Sequence, residues 1–399
     1  MPGPGAFLFG EEEKKHVLEV LESGYLSRYG KDEDKNFKQK VYTLESEFAK
    51  KIGVQHCVAV NSGTSALIAS LKALDIGAGD EVLVPGYTFI ASISSIISAG
   101  ATPVLTEIDE SLTVDPDDLE NKITGKTKVV MPVHMLGNPC DMDEIMKIAR
   151  KHNLFVIEDC CQAVGGGYKG ERLGSIGDMG GFSFNIYKVI NAGDGGMITT
   201  NNRQLYERAF AYHDQGHKPL RKGVEIGERT IVGVNMRMNE LTGAFLLGQL
   251  SKLDTILDLL REKKKIFKEL LSSGDIKDMS FRKINDPEEC ATLLTIQFPE
   301  AGIAEKVAKA LRTKTLSGSG WHVYNNMEQI LQWRDSSGKR PFSKNMLPKT
   351  DDILSRSINL SVGVVDPGIG ADFGINILTD NKEIEKKAEE FIRLVKGVL

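Results

Sequence analysis

Apolar residues follow two different spacings along the chain, and their alternation predicts the secondary structure. Between residues 57 and 157, short β-branched runs such as 81–84 and 128–133 alternate with helical periodicity in stretches such as 64–74 and 141–152. Apolar strands separated by amphipathic helices are typical of a parallel sheet that is covered on both faces. Right-handed crossovers then place the carboxyl ends of the strands at one edge of the sheet, where ligands bind.

The flanking regions have different patterns. The polar, charged stretch 27–38 predicts a surface loop, and the spacing over 240–271 predicts a long helical stretch that leaves this domain. Short strands and amphipathic helices follow, so we predict a smaller α+β region there. The resulting division is an N-terminal arm with a large domain over residues 1–250, and a linking helix with a small domain over residues 251–399.

Composition excludes several classes of protein. The 50 basic and 55 acidic residues are interspersed and give a formal charge of -5, which predicts no nucleic-acid partner. No apolar run approaches the ~18 residues of a membrane span, and no signal-peptide pattern opens the chain. The five cysteines include adjacent Cys160 and Cys161, which suit neither a disulfide framework nor a zinc knuckle. We therefore predict reduced thiols, a cytoplasmic location, no membrane partner and no metal.

One predicted strand is followed by a segment with the character of an anion site. In NSGTSAL, Gly63 permits a tight turn, and Thr64 and Ser65 begin a helix whose first N–H groups have no helical acceptor. Such a helix start binds phosphate. An ordinary Ser/Thr cap would give the same sequence.

Two further segments carry groups for covalent and electrostatic chemistry. Glu158 and Asp159 end an apolar run, where carboxylates need partners. Asp159 would pair with a protonated ring nitrogen of a cofactor or cap the next helix. Lys188 lies between a short apolar strand and a glycine-rich turn. A lysine in such a site can form imines, although most lysines are solvated surface groups.

Taken in order, NSGTSAL, EDCCQAVG and SFNIYKVINAGDGG resemble the DegT/DnrJ/EryC1/StrS family of pyridoxal-phosphate (PLP)-dependent sugar aminotransferases. PGYTFIAS, VHMLG and GVNMRMNELTGA agree as well. The resemblance covers nearly the whole chain and is weakest beyond about residue 275. It implies the α/β fold of fold-type I PLP aminotransferases, with a mostly parallel sheet. It also implies transfer of an amino group from an amino acid, glutamate as first choice, to a keto- or aldehydo-sugar.

The resemblance assigns roles around the cofactor ring. Lys188 matches the catalytic lysine that is bonded covalently to PLP. Asp159 matches the carboxylate at the pyridinium nitrogen, and Gln162 matches the residue beside the ring oxygen. Phe89 matches the aromatic residue that stacks on the ring.

Further matches concern the cofactor phosphate. Gly63, Thr64 and Ser183 match the phosphate cradle, and Asn235 matches a phosphate contact donated by the neighbouring subunit. The resemblance therefore implies a homodimer with shared active sites. His134 follows a strand near this site, but the resemblance gives it no role.

Two segments bear on the identity of the sugar. HDQGH, which ends at His217, and WHVYNN, which starts at Trp321, look like the branch that aminates C8 of an oxidised octulosonate in lipopolysaccharide synthesis. That branch is the 8-amino-3,8-dideoxy-manno-octulosonate aminotransferases. We predict that His217, Trp321 and His322 line the mouth of the site, with Trp321 a buried sugar platform. Arg237 or a protonated histidine would face the substrate carboxylate. Loop or core packing would also explain these segments.

Several other functions are open to this sequence. A nucleotide-sugar aminotransferase and a PLP-dependent sugar dehydratase share the motifs, although a family subset that deoxygenates sugars has histidine where this chain has Lys188. A nicotinamide oxidoreductase would need G-x-G-x-x-G after the first strand, which is absent. A PLP-binding protein without catalysis would have no need to retain Lys188, Asp159 and Gln162.

Overall fold

The strands of the fold lie in two sheets and a small hairpin. The computed structural model describes residues 3–31, 33–219, 231–335 and 337–399. Its strands are β1 His56–Val60, β2 Glu81–Pro85, β3 Thr102–Thr106, β4 Thr127–Val130, β5 Phe155–Asp159, β6 Gly167–Tyr168, β7 Glu171–Arg172, β8 Met179–Ser183, β9 Gly196–Thr200, β10 Ser280–Phe281, β11 Leu293–Gln297 and β12 Ser357–Ser361.

The larger sheet confirms the predicted parallel architecture. Its seven strands have the order β1-β9-β8-β5-β4-β2-β3. Only β9 runs antiparallel to its neighbours, so the carboxyl ends of the other six strands meet at one edge. Strand β2 illustrates why a continuous apolar run predicts a strand of this sheet. Its residues Val82, Leu83 and Val84 are all fully buried, as expected for a strand with helices on both faces of the sheet.

The helices surround both sheets. In chain order they are α1 Glu11–Ser23, α2 Lys40–Ile52, α3 Gly63–Ala73, α4 Ile90–Ser98, α5 Pro116–Asn121, α6 Met142–His152, α7 Arg203–His213, α8 Glu240–Ser251, α9 Leu253–Ser273, α10 Ala301–Ala310, α11 Glu328–Leu331, α12 Pro348–Ser355 and α13 Asn381–Lys396. In the described part of the chain, no helix combines the length and apolar character needed to cross a membrane.

The C-terminal third contains the antiparallel sheet β10-β11-β12, which confirms the predicted change to an α+β pattern. The predicted helical stretch 240–271 is confirmed, and it consists of two helices, α8 and α9, that join at Lys252. The Lys252 ammonium donates to the Leu8 carbonyl (2.8 Å) and to Glu13 Oε2 (2.7 Å), and so ties this junction to the N-terminal arm. The domain boundary near residue 250 stays a prediction.

The prediction that residues 27–38 lie at the surface is wrong for Arg28, whose side chain is fully buried. Its guanidinium donates to both carboxylate oxygens of Glu45 (3.0 and 3.1 Å), and it lies 3.1 Å from Nε2 of His213. Phe37 is buried as well. A charged group can be buried when it is paired and hydrogen-bonded, and the local sequence gave no sign of partners so far along the chain.

Candidate active site

The carboxyl edge of the large sheet opens into a cavity of about 620 Å³. Predicted residues from several strand ends meet there, because the parallel strands deliver their following loops to the same edge. The predicted residues that line it are Gly63, Thr64, Phe89, Asp159, Gln162, Ser183, Lys188, Trp321 and His322.

The start of α3 forms one end of the cavity. The Ser62 hydroxyl accepts the Ser65 N–H (3.1 Å), which leaves the N–H groups of Gly63 and Thr64 without an acceptor in the helix. A Cβ atom on residue 63 would lie 2.7 Å from Cβ of Ser183 and 2.9 Å from Sγ of Cys161, so only glycine fits. Free N–H groups at a positive helix terminus, beside the Ser183 hydroxyl, fit a phosphate group.

Asp159 ends β5 as a buried carboxylate that is 3% exposed. Its Oδ2 accepts a hydrogen bond from the Ser92 hydroxyl (2.6 Å), and its Oδ1 accepts one from the Cys161 N–H (3.0 Å). The Ser92 hydroxyl is in turn 2.6 Å from Oγ1 of Thr88. These bonds fix the carboxylate at the cavity wall, where its remaining lone pairs fit a protonated ring nitrogen.

Gln162 and Lys188 face the same cavity, but a hydrogen bond to the backbone holds only the Gln162 side chain among the described residues. The Gln162 amide oxygen accepts the Leu136 N–H (2.9 Å), which leaves its NH₂ group to donate to a bound molecule. Among the described residues, the Lys188 ammonium has neither a hydrogen bond nor an ion pair, and its side chain is half-buried. This lysine is therefore free to react with a carbonyl carbon.

His322 and Trp321 lie on the side of the cavity formed by the C-terminal third of the chain. The His322 ring lies 5.2 Å from the Phe89 ring, and its Nδ1 is buried without a partner among the described residues. Burial, together with the nearby Lys188 charge, lowers the pKa of His322 to about 3, so this ring is neutral. The prediction of a buried Trp321 is wrong: its side chain is 65% exposed in a short 3-10 turn at the cavity mouth.

His217, predicted to line the mouth, and Arg237, predicted to face the substrate carboxylate, lie outside this cavity. His217 is exposed beyond the end of α7, and the Arg237 guanidinium donates to the Asp214 carboxylate. For Arg237 the physical reason is local pairing. Its backbone forms an isolated antiparallel β-bridge with Val60 at the end of β1, and its guanidinium forms an ion pair with Asp214 instead of facing the cavity. Asn235 also lies outside the cavity of its own chain, and its assignment to a neighbouring subunit stays a prediction.

His134 has a structural position beneath the site. Its Nδ1 accepts the Cys140 N–H (3.0 Å), so its Nε2 carries the proton and donates to Glu158 (3.1 Å). Glu158 also accepts the backbone N–H groups of Gly174, Ile176 and Gly177. His134, Glu158 and Cys160 are close enough together to hold a cation, but these hydrogen bonds occupy the histidine and the carboxylate.

The N-terminal arm supports the Lys188 loop from behind. The Gly3 N–H donates to the Ile186 carbonyl (2.7 Å), and the Gly5 N–H donates to the Val189 carbonyl (2.9 Å). A Cβ atom on residue 3 would lie 2.3 Å from the Lys188 carbonyl oxygen. The backbone around the reactive lysine is therefore held between the cavity and the beginning of the chain.

Several cavity residues were not predicted from the sequence. Ser92 and Thr88 lie within the motif PGYTFIAS, so their closeness to Phe89 was a usable signal. Asn185 donates to Asp194 (3.1 Å) on the loop that carries Lys188. Asp366 comes from the segment after β12, where the resemblance is weak and no signal was present.

Several proteins with similar sequences carry the names of enzymes that make amino sugars. The chain is 41% identical to the GDP-perosamine synthase of Escherichia coli O157:H7 over 66% of its own length and 69% of that protein's. It is 44% identical to a dTDP-3-amino-3,6-dideoxy-alpha-D-galactopyranose transaminase of Aneurinibacillus thermoaerophilus, over 62% and 64% of the two chains. The match therefore covers slightly more than two thirds of the first relative and slightly less than two thirds of the second.

Solved structures are similar over nearly the full length. A 3-amino-5-hydroxybenzoic acid synthase has a TM-score of 0.81 at 26% identity, with 98% of this chain and 97% of that chain covered. An aminotransferase from Psychrobacter cryohalolentis has a TM-score of 0.80 at 30% identity, with 98% of each chain covered.

Fold and site together define a PLP-dependent aminotransferase of fold type I. The model of the DegT/DnrJ/EryC1/StrS aminotransferase family matches residues 8–365, and the chain belongs to this family. The cofactor assignment agrees with the cavity, which offers a phosphate cradle, a fixed carboxylate and an unpaired lysine.

Proposed function

We propose that this enzyme transfers an amino group from an amino acid, glutamate as first choice, to a keto- or aldehydo-sugar. The observation that carries the proposal is that Lys188, which has no partner among the described residues, and Asp159, which is fixed by hydrogen bonds, line one cavity with the first N–H groups of α3. When bound, PLP supplies an electron sink. Asp159 keeps the ring nitrogen protonated, and Lys188 moves the proton at the substrate carbon.

The acceptor we propose first is a nucleotide-linked keto-sugar. The relatives described above carry names of GDP- and dTDP-sugar enzymes, and a further one is a UDP-N-acetyl-3-dehydro-alpha-D-glucosamine 3-aminotransferase, 40% identical over 52% of this chain. The mouth of the cavity is open beside exposed Trp321, which leaves room for a substituent outside it.

A free octulosonate is the second candidate acceptor, in which C8 would be aminated. Trp321 and His322 line the cavity, and they offer an aromatic face and a neutral polar group for a sugar ring. Arg237 is paired with Asp214 and His322 is uncharged, so neither of them supplies the cation that the sugar carboxylate would need within this chain.

A half-reaction competition tests both parts of the proposal. The enzyme is first treated with glutamate and freed of keto acid, and loss of the bound-cofactor absorbance shows that the amino group was taken up. It is then offered an 8-oxo-octulosonate or GDP-, dTDP- and UDP-linked keto-sugars at equal concentration. We expect the fastest recovery of absorbance with a nucleotide-linked sugar.

Each contrary outcome has a distinct meaning. Faster amination of the octulosonate would overturn the first acceptor class and leave the aminotransferase proposal standing. No change on adding any amino donor would overturn amino transfer itself. The Lys188→Ala variant, treated identically, controls for absorbance changes that do not depend on this lysine.

We also infer a homodimer with shared active sites. Asn235 lies outside the cavity of its own chain, but its segment adjoins the phosphate cradle, because the Asn61 N–H donates to the Met236 carbonyl (2.8 Å). Val232 and Val234, beside Asn235, are 92% and 43% exposed. Exposed apolar side chains of this kind favour an interface between subunits.

Mixing two impaired variants tests this inference. Each substitution, Asn235→Ala or Lys188→Ala, should lower or abolish activity when all chains carry it. The two variant chains are then co-expressed with different tags, so that mixed dimers can be isolated. If Asn235 serves the neighbouring site, each mixed dimer contains one fully intact site, so random pairing restores about a quarter of all sites. Activity that stays at the mean of the two parents would show that Asn235 acts in its own chain or not at all.

A further inference from the structure

A second cavity, of about 190 Å³, lies between α9 and the small sheet, away from the cofactor site. Its lining is strongly cationic. The cationic residues are Arg261, Lys264, Lys265, Lys268 and Arg282, whereas Glu289 is the one acidic residue among the described residues that line it.

Arg282 is the most deeply placed of these cations, and its side chain is 1% exposed. Its terminal nitrogens donate to the carbonyls of Met135 (3.3 Å) and Leu136 (3.0 Å), and one of them reaches Glu289 Oε2 at 3.4 Å. Its Nε is buried with no hydrogen-bond partner in the described part of the chain. A buried donor without an acceptor is costly, so the protein does not fully satisfy the hydrogen-bonding capacity of this guanidinium, which lines the cavity.

Lys264 adds a second buried cation that shares the same carboxylate. Its ammonium donates to Glu289 Oε1, so one carboxylate serves both Lys264 and Arg282. Burial, with a contribution from the Arg282 charge, lowers the pKa of Lys264 to about 8. Positive charge therefore exceeds negative charge in a partly desolvated space, where electrostatic attraction is stronger than in water.

Part of the cavity lining is apolar. It contains Phe281, Ile284, Pro287 and Leu294, and the Lys268 ammonium lies 5.1 Å from the centre of the Phe281 ring. The volume is below the ~300–1,000 Å³ that is typical of pockets for drug-sized ligands, so a fitting molecule must be small. The combination favours a molecule that carries both an anionic group and an apolar skeleton.

We propose that this cavity is a binding site for a small organic anion that carries a carboxylate or phosphate group on an apolar skeleton. The ligand is anchored by Arg282 and Lys264 and is covered at the rim by Lys265 and Lys268. Arg282 donates to the Leu136 carbonyl, and the Leu136 N–H donates to Gln162, so two hydrogen bonds connect this cavity to a residue of the cofactor site. The inference is independent of which sugar the enzyme aminates.

Calorimetric titration of the PLP-saturated enzyme tests the site, with phenyl phosphate, benzoate and inorganic phosphate as probes. The cavity variant is Lys265→Ser/Lys268→Ser, which changes two exposed rim residues. Its matched control is Lys306→Ser/Lys309→Ser, which removes the same charge from the exposed face of α10. We expect phenyl phosphate or benzoate to bind the wild type and the control equally, and the cavity variant at least about tenfold more weakly.

The probes also separate the parts of the proposal. Inorganic phosphate should bind more weakly than phenyl phosphate, because it lacks the group that contacts Phe281. Equal affinity of the two phosphates would overturn the apolar component, and preference for phenyl phosphate over benzoate would identify phosphate as the favoured anion. No binding of any probe, or equal weakening in the cavity variant and the α10 control, would overturn the site.

Discussion

Replacement of Lys188 by alanine is expected to abolish turnover and to remove the absorbance of covalently held cofactor. General acid–base catalysis alone contributes roughly 10²–10⁴-fold to a rate, and the covalent link to the cofactor is lost in addition. Because the side chain makes no hydrogen bond or ion pair among the described residues, the fold should not depend on it. Steady-state kinetics, the absorbance spectrum and thermal unfolding measure the three expectations separately.

The control for this variant is Lys126→Ala, which removes an exposed lysine just before β4, at the amino ends of the parallel strands and therefore at the opposite edge of the sheet from the site. It should retain wild-type rates and the wild-type spectrum. Near-normal turnover by Lys188→Ala would refute the catalytic assignment. A lowered unfolding temperature with an intact spectrum would instead indicate a structural lysine.

Replacement of Asp159 by asparagine is expected to reduce the rate strongly while the protein stays folded. Removal of one partner of a buried ion pair costs about 3–5 kcal/mol, which corresponds to a rate loss of roughly a hundred- to several-thousand-fold. The asparagine carbonyl can still accept the Cys161 N–H, and its NH₂ group can donate to the Ser92 hydroxyl. The local hydrogen bonds therefore survive while the negative charge is lost.

Asp178→Asn offers a matched control, because Asp178 also accepts a backbone N–H, from Val156 at 2.8 Å, but does not line the cavity. Its effect should be confined to stability. If Asp159→Asn kept the wild-type rate, the carboxylate would be no more than a cap for the following turn. The lost interaction is measured as the change in kcat and in the pH dependence of the cofactor absorbance.

The sequence predicts the large sheet because its strands are continuous apolar runs and its helices are amphipathic. The spacing of apolar residues therefore distinguishes the strands from the helices. The residues that meet at the sheet edge, including Gly63, Asp159 and Lys188, followed from their position after strands. The family motifs then supplied their order and proposed roles. This part of the site depends mainly on contiguous segments, which a sequence displays directly.

Other features depend on contacts between distant segments, which periodicity does not reveal. The partner of Arg237 is Asp214, and that pairing removes the arginine from the predicted substrate contacts. Arg28 was assigned to a surface loop because its own neighbours are polar, but Glu45 makes its burial favourable. The position of Trp321 beside His322 and Tyr324 in a Gly/Ser-flanked segment predicts a buried platform, whereas a short turn leaves it at the surface.

The hydrogen bonds from Gly3 and Gly5 to the loop around Lys188 have a practical consequence for preparing the enzyme. A Cβ atom on residue 3 collides with the Lys188 carbonyl oxygen, so a tag or fusion that changes the sequence or backbone at Gly3 would disturb the loop that carries the reactive lysine. Purification handles are better attached after Leu399, which is 53% exposed beyond the end of α13. Rates measured on N-terminally tagged protein should be compared with those of the cleaved form before they are assigned to the enzyme.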